Sequence, residues 1–342
     1  MKTMLCLLCL SFCGLLAAED STTPKLDNEK LSIPFQRYTV KDAHDRTITF
    51  YLSRASKEQE GKTLPVVLFV QGSGCQSLFM QRGDKIAGGL QNLILKQVGQ
   101  KARVLVVEKP GVKFLDAPPR PGSAEGASEE FLREHTLERW TEANVAAVRG
   151  VWKLEGIDSK RTLVMGHSEG GIVVAAVAAK LPEVTHVASL AGGGPTQLFD
   201  LIEMRKQPQP DEKPGDVELR VKAAMNDWDQ ILADPDSTAK SWMGHPYRRW
   251  SSFLKHSVIE ELKKSKARIY LAQGSEDKAV FPKSYELALA ELKAHGRDVT
   301  GDYIVGGDHG FRSTANPDGF QQVIDRVLNW FADEKPPESS KK

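Results

Sequence analysis

Cysteine is scarce in this 342-residue chain: there are four, and Cys6, Cys9 and Cys13 all precede Gly14. Only Cys75 follows, so no internal disulfide can staple the fold beyond that segment. An excess of charge of one sign is absent too. Lys and Arg number 46 against 45 Asp and Glu, well interspersed, so no broad basic face is on offer to a phosphate backbone or an anionic membrane. Nucleic-acid partners are therefore not expected. After Leu16 no apolar run approaches the roughly 20 residues of a membrane helix. With 40% hydrophobic residues the chain nonetheless has the composition of a water-soluble protein with a full core.

The first residues differ in kind from the rest. Lys2 precedes an apolar run from Met4 to Leu16, and Ala17-Ala18 precede Glu19-Asp20, the layout of a secretory signal cut near Ala18. Residues 1–18 are thus expected to be a signal peptide and the protein to be secreted or periplasmic. Leu10-Ser11-Phe12-Cys13 loosely resembles a lipoprotein processing site, which makes a lipid anchor at Cys13 the alternative; against it, Phe12 is large for that position. Residues 19–34 are polar and read as a flexible leader, and 333–342, with Pro336-Pro337 and serines, as a disordered tail.

Between these ends the pattern is that of an α/β domain over 35–332. Residues 36–41 and 47–53, rich in β-branched and aromatic side chains, flank the turn-prone Asp42-Ala43-His44-Asp45 and predict an antiparallel hairpin. Short β-rich runs follow at 66–70, 104–107, 162–165, 187–190, 268–271 and 302–305, several without polar alternation, as in strands covered on both faces. Helical stripes lie between them: Val145, Val148 and Trp152; Tyr285, Ala288, Leu289 and Leu292; Phe320, Val323, Ile324, Val327, Leu328 and Phe331. Alternation of this kind predicts a doubly wound, mostly parallel sheet behind an N-terminal hairpin. The long stretch between the runs at 190 and 268 predicts an inserted helical cap at about 195–266.

The strongest local signal is Gly166-His167-Ser168-Glu169-Gly170, which follows a strand and opens a helix. A serine at the tip of so sharp a turn needs glycines where neighbouring chain approaches, and the helix N-terminus presents free N–H groups to developing negative charge. Gly171, Ala175, Ala176 and Ala179 supply the small side chains of a tightly packed helix. Here the chain resembles the α/β-hydrolase superfamily, the esterases, lipases and serine peptidases, over roughly 36–332.

That resemblance implies a catalytic triad in the order serine, acid, histidine, with the acid after the next-to-last core strand and the histidine after the last. Asp277, in Gln273-Gly274-Ser275-Glu276-Asp277, fits the acid, with Glu276 as its competitor. His309, in Gly306-Gly307-Asp308-His309-Gly310-Phe311, fits the base. His167 is expected to turn across the elbow, and His44, His135 and His295 sit in stretches that look like surface. The oxyanion donors implied are the N–H of Glu169 and one from Gln71-Gly72-Ser73-Gly74-Cys75, with Ser73 first and Gly74 adjacent. This loop resembles the family's H-G-x-G segment with Gln71 in place of histidine, which leaves its bracing unexplained. Glu108-Lys109-Pro110-Gly111 reads as a charged turn or as pocket lining, and residues 245–250 as a cluster tying the cap to its domain or touching substrate. No histidine pair has metal-ligand spacing, so neither metal nor cofactor is expected. The reading is an exported carboxylic-ester hydrolase acting on a small or medium acyl substrate, a small molecule; a peptidase or amidase of the prolyl-oligopeptidase type and a non-catalytic binding scaffold are the alternatives. Oligomeric state has no signature in the sequence.

Overall fold

Short stretches rich in β-branched and aromatic side chains become strands, and nine strands among the described residues share one sheet. The computed structural model describes residues 22–333, so the expected signal, its Cys13 alternative and all but Asp333 of the expected tail lie outside the described residues. The strands are β1 (Lys25–Leu26), β2 (Phe35–Lys41), β3 (Thr47–Ser53), β4 (Leu64–Val70), β5 (Arg103–Val107), β6 (Ile157–His167), β7 (His186–Leu190), β8 (Arg268–Gly274) and β9 (Val299–Ile304). Their order across the nine-stranded sheet is β1-β2-β3-β5-β4-β6-β7-β8-β9. The expected hairpin is β2 and β3, paired antiparallel from Phe35 with Ser53 to Lys41 with Thr47. β3 meets β5 antiparallel, and all pairings from β5 through β9 are parallel.

Parallel neighbours require crossovers, and these are helical: α1 (Leu90–Val98), α2 (Glu129–Glu134), α3 (Leu137–Val151), α4 (Glu169–Lys180), α5 (Gln197–Arg205), α6 (Asp216–Ala233), α7 (Tyr247–Phe253), α8 (Val258–Lys264) and α9 (Pro282–Ala294) lie between strands, and α10 (Gly319–Ala332) follows the last one. α3, α4, α8 and α9 cover one face of the sheet, and α1 and α10 the other. Within β4, Val66, Leu68 and Val70 join the first layer while Val67 and Phe69 join the second. Both faces are buried, which is why the strand shows no polar alternation. Each such side chain taken fully out of water contributes about 1.5–3 kcal/mol.

Two expectations are corrected. The leader is not free from residue 22 onward: Lys25 and Leu26 pair with Thr39 and Tyr38, and Leu31 and Ile33 are buried against the second layer. Isolated apolar residues in a polar stretch carry no period, and their burial is supplied by residues far along the chain. The cap also ends earlier than expected. α5, α6 and α7 build a separate small core around Leu201, Ile231, Trp250 and Leu254, whereas Val258, Ile259 and Leu262 of α8 belong to the main core against α4 and α9.

The sheet positions the site through its switch point. β4 lies between β5 and β6, so the chain leaves it toward opposite sides, and the carboxyl ends of strands at such a point form a crevice. Val70 pairs with Gly166 and His167 with Leu190, which brings the loop after β4 beside the turn after β6.

Candidate active site

Ser168 sits between strand and helix with φ 59° and ψ −126°, a backbone region that a non-glycine residue occupies only when its surroundings enforce it. They do so here through backbone contacts. The Ser168 N–H donates to Leu190 O at 2.9 Å, and Ser168 O accepts from Gly171 N at 2.8 Å. A Cβ on Gly166 would lie 2.2 Å from Gly170 O, and one on Gly170 would lie 2.1 Å from Val70 O. The neighbouring atoms are main chain and cannot rotate aside. Gly170→Ala is therefore expected to destabilise the fold by about 2 kcal/mol or more; a thermal midpoint equal to the wild type would show that the elbow is not this tightly packed.

Past β8 and β9 the acid and the imidazole meet. His309 Nδ1 lies 2.8 Å from Asp277 Oδ2. Asp277 is buried and its other oxygen accepts from Ala279 N at 2.8 Å and Val280 N at 3.0 Å, while Gln273 Nε2 donates to Oδ2 at 3.0 Å. Burial acts to raise its pKa, but His309 and the two backbone N–H groups outweigh it and hold the carboxyl below its usual value. Glu276, the competitor, is exposed. His167 turns across the elbow to the His309 loop: its Nε2 is 2.7 Å from His309 O and the two rings are 4.8 Å apart. The His309 imidazole is thus held beside the residue preceding Ser168. No hydrogen bond joins His309 to Ser168 among the described residues; such contacts commonly close only when substrate is bound.

The loop after β4 lies against the serine, since a Cβ on Gly72 would be 3.3 Å from Ser168 Cβ. Among the described residues no protein acceptor takes the N–H of Ser73, Gly74 or Glu169. These are the donors the sequence singled out. Cys75 is buried, with burial pushing its thiol pKa up, which suits packing and not nucleophilic attack.

Under this loop lies a charged cluster. Glu169 Oε1 accepts from Lys109 Nζ at 2.9 Å and lies 3.1 Å from His135 Nε2; Oε2 accepts from Arg249 Nη2 at 2.6 Å and Nε at 3.2 Å. All four side chains are buried. Burial opposes the charge on Glu169, yet Lys109, His135 and Arg249 hold its carboxyl well below the ordinary range. Lys109 also donates to Gly72 O at 2.7 Å and Gly74 O at 3.0 Å. Arg249, from α7, lies over the rings of Trp250 and Phe253, 4.1 and 4.3 Å from their centroids, and donates to Gln197 Oε1 at 3.0 Å.

His135 is consequently not a surface residue, as expected from its polar stretch, but a buried one stacked 4.6 Å from Phe131. Lys109 and Arg249 were visible only as members of ambiguous charged stretches. The available signal was position: Lys109 lies two residues past the buried run of β5, after Glu108, and precedes Pro110-Gly111 at the sheet's carboxyl edge.

No protein-family profile matches the chain, and no curated protein matches it. Solved structures do. The acylaminoacyl peptidase of Pyrococcus horikoshii is similar at TM-score 0.60 and 16% identity, over 93% of this chain and 43% of that one. Est1E from Butyrivibrio proteoclasticus matches at TM-score 0.54 and 15% identity, over 88% of this chain and 99% of that one. An acetyl xylan esterase from Paenibacillus sp. R4 matches at TM-score 0.56 and 14% identity, over 91% of this chain and 87% of that one. The chain spans only about two fifths of the length of the peptidase. At these identities the likeness speaks to backbone architecture alone, and with the parallel sheet order described above it gives this chain the α/β-hydrolase fold.

Proposed function

We propose that the protein is a serine hydrolase that cleaves carboxylic esters through an acyl-enzyme. The observation that carries this reading is the pairing of a strained Ser168 with an Asp277–His309 couple closed at 2.8 Å beside it. In the proposed mechanism the Nδ1–H of His309 donates a hydrogen bond to the Asp277 carboxylate, which fixes the tautomer with Nε2 unprotonated as the base. Nε2 takes the proton of Ser168 as Oγ attacks the acyl carbon, and the carbonyl electrons move onto oxygen. The N–H groups of Glu169 and Ser73, with Gly74 adjacent, receive that oxyanion. Imidazolium then gives its proton to the departing alkoxide, and water, activated by the same histidine, releases the acid.

The esterases named above are matched over nearly their full length, which supports the ester reading. Likeness to the acylaminoacyl peptidase at TM-score 0.60 supports an amidase or peptidase as the second. The test is labelling by a fluorophosphonate followed by turnover of an acyl-chain series of activated esters beside aminoacyl amides. Labelling of wild type and not of Ser168→Ala is expected, with esters preferred. Preference for the amides would select the second reading, and labelling of neither protein would leave only a binding scaffold.

A further inference from the structure

Gln71 stands where the H-G-x-G loop has its histidine, and its side chain spans the loop, donating from Nε2 to Gln76 O at 3.3 Å. That bond leaves Gly72 O and Gly74 O to another donor. Lys109 has three ammonium protons and three acceptors: Gly72 O, Gly74 O and Glu169 Oε1. Gly72 O belongs to the same peptide unit as the Ser73 N–H, and Glu169 carries the other proposed donor on its own backbone. One buried cation therefore ties together the two chain segments that would receive the oxyanion.

We propose that Lys109 is the positioning residue of the oxyanion hole, fixing and polarising the Gly72–Ser73 peptide, with Glu169 as its counter-ion and Arg249 as the clasp that carries this geometry to the cap. The proposal rests on the serine-hydrolase reading above. Two physical effects act together. An ammonium bound to a peptide oxygen draws electron density from the amide and strengthens its N–H as a donor. Buried among groups that cannot reorient, the same ammonium also stops the loop from turning its N–H groups away, so little reorganisation is left for the moment of reaction. Arg249 reaches the other carboxylate oxygen from α7, so a shift of the cap pulls on Glu169 and, through it, on Lys109.

Charge balance makes the test tractable. Two full cations share one carboxylate here, so Lys109→Met leaves a neutral Glu169–Arg249 pair and no orphaned buried charge. The variant is expected to fold and to be labelled slowly by fluorophosphonate. Its kcat on an activated ester should fall about 100-fold, the scale of one lost oxyanion contact, with KM within about threefold. A trifluoromethyl ketone, which forms a tetrahedral oxyanion on the serine, should lose affinity in step with kcat, and hydrogen exchange of the Gly72–Cys75 amides should quicken. The exchange measurement needs no turnover. Wild-type kcat together with unchanged exchange in Lys109→Met would overturn the proposal, as would a parallel rise in KM with kcat unaffected. Should Met at this position prevent folding, Lys109→Gln keeps a neutral donor to one carbonyl and should give an intermediate kcat; unfolding of both would assign Lys109 to stability alone. Failure of wild type to label is a separate result, and it removes the hydrolase reading itself.

Discussion

His309→Ala is expected to lower kcat for an activated ester on the order of 10⁶-fold, and Asp277→Asn on the order of 10⁴-fold, with both variants still folded. The two differ because the groups act differently. Without His309 nothing accepts the Ser168 proton, and what survives is substrate binding and the oxyanion donors. With asparagine in place of Asp277 the imidazole remains, but an amide NH₂ facing Nδ1 favours the tautomer protonated on Nε2, which cannot take a proton from serine. The amide oxygen can still accept from Ala279 N and Val280 N, so the loop should keep its shape. Steady-state kinetics on both variants, with circular dichroism as the check on folding, decides the matter. A loss under about tenfold for Asp277→Asn would show that the buried carboxylate is a structural group, and that the histidine needs no acid.

Acid should weaken the fold well above the pH at which ordinary exposed carboxylates protonate. Burial lowers the pKa of His135, His167 and His186 to about 4 and of His245 to about 3. An unfolded chain binds protons at these sites below about pH 6.5 while the native state does not, so stability is full above that pH and falls as pH drops toward 4. Two buried acids work the other way. Burial raises Glu108 to about 8 and Asp200 to about 7, so the folded state holds their protons and gains as the medium becomes acidic. Each group contributes about 2 kcal/mol between pH 6.5 and pH 5. Histidines outnumber acids by four to two, and a net loss of about 3–4 kcal/mol results. Between pH 8 and 7 only the acids titrate, so stability should rise slightly on that descent. Urea midpoints at pH 8, 6.5 and 5 report the shape; a midpoint at pH 5 equal to that at pH 6.5 would mean that these histidines are hydrated.

The same buried histidines mark the boundary of sequence reading. His167 and His309 could be ranked because each sits in a local pattern, an elbow and a glycine loop after a strand. His135 could not, because Thr136-Leu137-Glu138 around it looks like any solvated helix start. Its environment is made by Phe131, Phe253 and Glu169, which approach from three other segments.

Sequence alone determined the alternation of strands and helices, the serine turn and the order of the acid and histidine loops. Each of these is written in short-range physics: side-chain period, glycine where backbone crowds, a loop after a strand. Tertiary structure alone decided that Leu31 and Ile33 are core, that α8 belongs to the sheet and not to the cap, and that Lys109, Glu169 and Arg249 form one buried cluster. A charge in a sequence is by default a charge in water. Only chain segments distant in sequence, brought together by the parallel sheet, can remove that water and supply the partners that make burial tolerable.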